Sequence, residues 1–140
     1  MLNRIDKAVI PAGLIRSAKT YSLVLDDTGL YIIRTGPAGR HVQARGGINM
    51  AIVDLVRDSQ AQKVAEGEKR LTSVSLVELV KEKGNVFIPR GEIRGATVGK
   101  NIYEEITLEI DTVNKKWKFH FLFVEQEGSV KQFAELLGIK

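Results

Sequence analysis

The sequence predicts an α+β fold, and three features of its apolar pattern predict it. Two pairs of runs rich in β-branched and aromatic residues, within 21–35 and 103–124, are typical of β-hairpins. Between them, apolar residues recur at helical spacing within 47–84. An amphipathic stretch at 129–138 ends the chain. Strands on both sides of a helical segment, followed by a last helix, indicate a domain of sheet and helices.

The first hairpin is predicted within YSLVLDDTGLYIIRT, where two apolar runs flank Asp26, Asp27, Thr28 and Gly29. Aspartate favours entry into a turn, and glycine adopts positive φ without steric cost. A further short strand is predicted just before it, in LIRSAKT. The glycine-rich stretch 36–47 then reads as a loop.

Two helices are predicted after this loop. The first runs to about residue 70 and carries its apolar residues at helical spacing: Ile48, Ile52, Leu55 and Val56. The second is predicted at 75–83, because Ser75 and Glu78 have the spacing of a capping box. Gly84 supplies the stop that often follows a helix.

Short strands are predicted at 85–89 and 92–98, and Pro89 either ends the first or keeps it at a sheet edge. A long hairpin then joins YEEITLEID to KWKFHFLFV through a turn at 112–115. The residues predicted to face the core are Ile106, Leu108, Ile110, Trp117, Phe119, Phe121 and Phe123. Those predicted to face outward are Glu105, Thr107, Glu109, Lys116, Lys118 and His120. Glutamates opposite lysines are favourable cross-strand pairs, although this pattern does not fix the register.

The last helix is predicted to begin at a second capping box, Ser129 with Gln132, and to end at Gly138. A chain of 140 residues with 44% hydrophobic and 27% charged residues fits one globular domain, 1–140. With no cysteine, disulfides and thiolate metal sites are excluded. No apolar run approaches the roughly 18 residues of a membrane span, and a cytoplasmic location is predicted.

This order of elements is similar to that of a pleckstrin-homology-like (PH-like) barrel, and the chain resembles bacterial PH-like and GRAM-like domains. The resemblance rests on LVLDDTGLYIIRT, on Ile88-Pro89 shortly before Ile93, on the long hairpin and on the final helix. It implies a PH-like antiparallel barrel or sheet with a C-terminal capping helix. The helical segment 47–84 departs from it, since such domains usually have a loop there. Either this segment is an insertion, or the fold is another α+β sheet with helices packed on one side.

The residues that enzymes use for acid–base or nucleophilic chemistry are scarce, so no enzyme is predicted. Of the two histidines, His120 is predicted to be a solvated sheet residue, and His41 lies in the glycine-rich loop. GPAGRHVQ lacks the ending of a phosphate-binding P-loop. No cofactor and no metal site are predicted.

The resemblance implies a non-catalytic binding or scaffold module, which binds a protein partner or an anionic lipid headgroup through loops at one end. The alternative is a basic nucleic-acid-binding domain, favoured by a net charge of +4 and a pI near 9.4. Against it, the aromatic residues of the long hairpin are predicted to face the core rather than stack on bases. Carried onto this chain, the resemblance to PH-like domains places six candidate anion-binding residues at that end: Arg34, Arg40, His41, Arg45, Lys115 and Lys116. Glycines around the arginines would let backbone N–H groups approach an anion, and a helix beginning near Ile48 would add its positive end.

Overall fold

A computed structural model of the chain describes residues 3–10, 19–37, 50–102 and 104–138. Its strands are β1 (Asn3–Ile10), β2 (Lys19–Leu25), β3 (Gly29–Pro37), β4 (Val86–Pro89), β5 (Ile93–Lys100), β6 (Ile106–Thr112) and β7 (Lys116–Phe121). Its α-helices are α1 (Met50–Ser73), α2 (Leu76–Leu79) and α3 (Glu127–Gly138). Short 3-10 turns occupy Arg90–Glu92 and Val124–Gln126.

The described strands form one antiparallel sheet of seven, in the order β4-β3-β2-β1-β7-β6-β5. β4 and β5 are its edges, and no described strand pairs them, so the sheet is open. The predicted α+β class and the C-terminal helix are confirmed. As predicted, β4 is an edge strand and Pro89 is its last residue, where the missing N–H is tolerated.

The main core lies between the inner face of this sheet and α3. All seven strands contribute to it, and α3 covers it with Val130, Phe133 and Leu137. The predicted alternation of the long hairpin is confirmed in β6, where Ile106, Leu108 and Ile110 are buried. The structure also fixes the register that the sequence left open: Ile106, Leu108 and Ile110 lie opposite Phe121, Phe119 and Trp117.

The second strand of this hairpin is shorter than predicted. Phe119 and Phe121 are fully buried, but β7 ends at Phe121 and the chain turns into a 3-10 turn at Val124. The prediction that Phe123 faces the core is therefore wrong, and 45% of this residue is exposed. Trp117 is only partly buried; it stacks on Phe119, and Lys115 Nζ lies 3.8 Å from its ring centroid.

A second apolar cluster lies on the opposite, outer face of the sheet. Val24, Tyr31 and Ile33 pack there against Leu79 of α2 and partly buried residues of the α1–α2 segment. The helices between β3 and β4 are thus a layer on the outer face. The contact between α1 and β3 is close, because a Cβ at Gly67 would overlap the backbone of Thr35.

Several predicted helix ends are wrong. The second helix, predicted at 75–83, is the single turn Leu76–Leu79, although Ser75 Oγ does accept the N–H of Glu78 at 3.4 Å. Gly84 has a left-handed φ of +92°, but it is not the helix stop that the sequence predicts, because α2 has already ended at Leu79 with Val80 as its C-cap. Ser129 is not a helix cap, since α3 follows the 3-10 turn directly and begins two residues earlier, at Glu127.

The first hairpin is confirmed, and Asp26 organises its turn. One carboxylate oxygen of Asp26 accepts the N–H and hydroxyl of Thr28, at 2.8 and 2.5 Å, and the N–H of Gly29, at 3.0 Å. Burial alone would raise the pKa of Asp26, but these hydrogen bonds outweigh it and lower the pKa below its ordinary value of 3.8.

We expect Asp26→Ala to reduce the free energy of unfolding by roughly 1–2 kcal/mol at neutral pH, because two backbone donors lose their acceptor. A lowered pKa in the folded state means that this stabilisation is present above the unfolded-state pKa. It is lost as the pH falls through the folded-state pKa. Urea unfolding of both proteins at pH 7 and near pH 3 measures this. A difference that grows on acidification would contradict it.

Candidate functional site

The structure describes three of the six candidate anion-binding residues, and it does not bring all three together. Arg34 is exposed near the end of β3, where its N–H donates to Asn85 Oδ1 at 2.7 Å. Lys115 and Lys116 lie at the β6–β7 turn, and Lys116 Nζ is 3.6 Å from Glu109. Arg40, His41 and Arg45 lie outside the described residues, and so does Ile48, where a helix was expected to begin.

His120 is not the solvated side chain that the sequence predicts. It does lie on the outer face of β7, but only 13% of its side chain is exposed. Its Nδ1 is 3.4 Å from Glu105 Oε1 and 3.4 Å from Asn101 Nδ2. Asn101 also donates to Glu105 at 2.8 Å and accepts the N–H of Glu105 at 3.0 Å. This cluster therefore fastens the β5–β6 turn onto β7.

A cleft opens where β1 continues beyond the end of β7. Among the described residues, β1 pairs with β7 only at Val9 and His120, whereas it pairs with β2 along most of its length. In that register, a longer β7 would set residues 122–126 opposite residues 3–7. The chain instead leaves the sheet after Phe121 and forms the 3-10 turn. The resulting open cleft has a volume of about 400 Å³.

The β1 side of the cleft contains a β-bulge. The register of β1 against β2 shifts between Ile5 and Ala8, so one extra residue is accommodated there. Lys7 lies in this bulge with a φ of +62°, a left-handed conformation that is uncommon for a non-glycine residue. Its Nζ is 3.0 Å from Glu68 of α1. The bulge therefore turns the Lys7 side chain toward the helix layer.

Gln126 bridges the cleft from the other side. Its Nε2 donates to the backbone carbonyl of Asp6 at 2.8 Å, and this bond fixes which end of the amide is nitrogen. Within the described part of the chain, Gln126 Oε1 is the only buried side-chain nitrogen or oxygen without a hydrogen-bond partner. Leaving a buried acceptor unsatisfied costs about 1–3 kcal/mol. One half of this amide is thus satisfied and the other is not.

The charged groups of the cleft largely neutralise one another. Arg4 and Lys7 line it together with Asp6 and Glu125. Arg4 Nε is 2.7 Å from Asp6 Oδ1, and Asp6 also accepts the hydroxyl of Ser22 at 2.6 Å. The half-exposed ring of Phe123 completes the lining. The cleft therefore offers an apolar contact and a strand edge, with no excess of positive charge.

The strain at Lys7 gives a testable comparison. Lys7→Ala and Lys7→Gly both remove the ion pair with Glu68, but only glycine adopts a positive φ without steric cost. We expect the glycine variant to be more stable than the alanine variant by about 1 kcal/mol in urea unfolding. An alanine variant as stable as the glycine variant would mean that residue 7 does not hold the left-handed conformation.

Comparisons with protein-family models, with curated proteins and with solved structures yield no match. The resemblance to PH-like domains therefore stays a prediction. In the described ranges, no helix combines the length and apolar character needed to cross a bilayer. The same ranges contain no cluster of three or more His, Asp or Glu side chains placed to hold a metal ion.

Sequence reasoning missed the cleft for two reasons. The N-terminal strand lacks a regular alternation, because the bulge at Lys7 interrupts it. The alternation of KWKFHFLFV also continues beyond the point at which β7 ends. The one available signal was the polar run Glu125-Gln126-Glu127-Gly128, which cannot continue a buried strand.

Proposed function

We propose that this chain is a non-catalytic binding module of PH-like type whose ligand is a protein partner. The observation that carries the proposal is the cleft between β1 and the β7–α3 connection. Its lining includes the exposed Phe123 and the edge of β1 toward β7, which pairs with no described strand from Asn3 to Lys7. Aromatic side chains are enriched at protein interfaces, and strand edges are recurrent sites of peptide recognition. Seven antiparallel strands followed by a helix that packs on them agree with the PH-like resemblance.

The charges of the cleft favour a protein over an anionic ligand. Its two cationic side chains each have a carboxylate partner already, Arg4 with Asp6 and Lys7 with Glu68. A lipid headgroup or a nucleic-acid phosphate would have to compete with these carboxylates. A polypeptide with no large net charge can bind without displacing these carboxylates from the two cationic side chains.

Several titratable side chains among the described residues make contacts that hold turns and segments in place. These structural contacts support a non-catalytic role. Asp26 organises a turn, and Glu82 binds Arg70 between α1 and the segment after α2. Glu105 and His120 fasten the β5–β6 turn onto β7.

The test presents the folded chain to three kinds of ligand in parallel. These are a display library of random dodecapeptides, vesicles with and without anionic phospholipid, and a DNA duplex in a salt series. We expect peptides to be enriched, with micromolar affinity by calorimetry, and no preference for anionic vesicles. Phe123→Ser should weaken peptide binding at least tenfold.

The matched control is Val77→Ala, because Val77 is another exposed apolar residue, 58% exposed, on α2. It should leave peptide binding unchanged. Binding to anionic vesicles without any enriched peptide would replace the proposal by the headgroup function. A steep loss of DNA binding with salt would favour the nucleic-acid function instead. Peptide binding that Phe123→Ser does not alter would place the ligand outside the cleft.

A further inference from the structure

We infer that the partner segment binds in an extended conformation as an added β-strand along residues 3–6 of β1, displacing the side chain of Gln126. This inference rests on the proposed function and specifies its binding mode.

The vacant position follows from the pairing of β1. From Asn3 to Ile5 this strand pairs with β2 on one side, while its described pairing with β7 on the other side is limited to Val9. At about 3.3 Å per residue, the three residues Asn3–Ile5 before the bulge offer roughly 10 Å of regular strand edge, and the Asp6 carbonyl in the bulge adds one more acceptor. A row of backbone groups without a strand partner is a template for pairing with another chain.

Gln126 occupies part of this edge. Its Nε2 donates to the carbonyl of Asp6, as the backbone N–H of a neighbouring strand would. The occupation is incomplete, because Oε1 of the same amide is buried without a partner. A peptide N–H that replaced Nε2 at the Asp6 carbonyl would release the Gln126 side chain. Its unsatisfied oxygen would then reach water. The side chain is therefore a placeholder that an added strand displaces at low cost.

The residues that line the cleft indicate the chemistry of the partner segment that binds there. Its backbone pairs with β1, so its side chains alternate between the two faces of the sheet. An apolar or aromatic side chain near its centre contacts the half-exposed ring of Phe123. Arg4 and Lys7 are balanced by Asp6 and Glu125, so the segment needs no particular net charge. The ligand is thus an extended, uncharged to weakly charged peptide that pairs over about four residues and has an apolar centre.

The experiment uses the dodecapeptide of highest affinity from the display selection, with the wild-type chain. Two analogues of this peptide are synthesised. One is methylated on the backbone nitrogens of its odd-numbered residues, and the other on those of its even-numbered residues. An added strand presents only alternate N–H groups to β1. One analogue should therefore bind at least tenfold more weakly than the parent peptide, and the other should lose at most threefold.

The second measurement uses Gln126→Ala, with its fold checked by a thermal melt. If the Gln126 side chain is a placeholder, removing it should tighten binding of the parent peptide about threefold or more. Equal binding of both methylated analogues would overturn strand addition. It would leave the proposed function standing if Phe123→Ser still weakened peptide binding at least tenfold. Weaker binding by Gln126→Ala would show that the amide holds the ligand, and would overturn the displacement. A selection that enriches no peptide would overturn the proposed function itself.

Discussion

Replacing Phe119 by alanine should lower the free energy of unfolding by roughly 3–5 kcal/mol, enough to prevent stable folding of many domains of this size. Phe119 is fully buried in the main core, opposite Leu108 of β6. Its ring meets Tyr21 of β2 edge to face at 6.0 Å and stacks against Trp117 at 6.2 Å. Alanine would lose these contacts and leave a cavity in the main core. Urea unfolding of the purified variant measures the loss.

Phe123→Ala is the matched control for this variant. The same side chain is removed four residues later, but from a position that is 45% exposed and beyond the end of β7. We expect a loss of no more than about 1 kcal/mol, because much of this ring remains in water in the folded state. Equal losses from the two variants would mean that the strand continues past Phe121 and buries Phe123, as the sequence alone predicted.

The sequence predicts best those elements in which local pattern and tertiary environment agree. In β6, every second residue from Ile106 to Ile110 is apolar and buried, so alternation alone assigns both the strand and its inward face. The β2–β3 hairpin is equally predictable, since Asp26 and Gly29 have the chemistry of the turn between two apolar runs. These elements supply eight of the 18 buried residues of the main core.

Other features depend on tertiary contacts that no local pattern encodes. β1 contains a bulge, so its apolar residues change face at Lys7 and a period of two is lost. β7 ends at Phe121 although its alternation continues, because the polar run after Val124 forms a 3-10 turn and the start of α3. The cleft arises from the combination of these two irregularities. Its residues are therefore far apart in sequence and carry no shared motif.

The predicted anion site rests on features that are visible in the sequence, whereas the observed cleft rests on features that only the structure shows. Arg34, Lys115 and Lys116 stand out in the sequence because their charge is visible there, and Arg34 also lies two residues before Gly36. Gln126 and Phe123 do not, because an unsatisfied amide oxygen and an exposed ring are properties of the packed structure. The contact between His120 and Asn101 is also a property of the packed structure, because it joins residues from β7 and the β5–β6 turn.

Gly67→Ala should destabilise the domain by about 2 kcal/mol, although helix propensity alone predicts a gain of nearly 1 kcal/mol. Gly67 lies within α1, where its backbone meets β3. A Cβ there would overlap the carbonyl oxygen of Thr35 and lie 2.7 Å from its Cα. Both neighbours are backbone atoms, so the helix itself would have to move away from the sheet. Urea unfolding gives the sign of the change, and a stabilised variant would contradict the close approach of α1 to β3.

Gly128→Ala is the control that separates packing from propensity. Gly128 also lies in an α-helix, α3, but a Cβ there would meet no atom within 4 Å, so we expect a gain of up to about 1 kcal/mol. The Gly67 variant carries a second consequence, because the next residue, Glu68, binds Lys7 and its carbonyl accepts Arg4 Nη2 at 3.1 Å. A helix shifted from the sheet would loosen both cationic side chains of the cleft. Peptide binding should therefore weaken in Gly67→Ala and remain unchanged in Gly128→Ala, when both are measured at a temperature where they are fully folded.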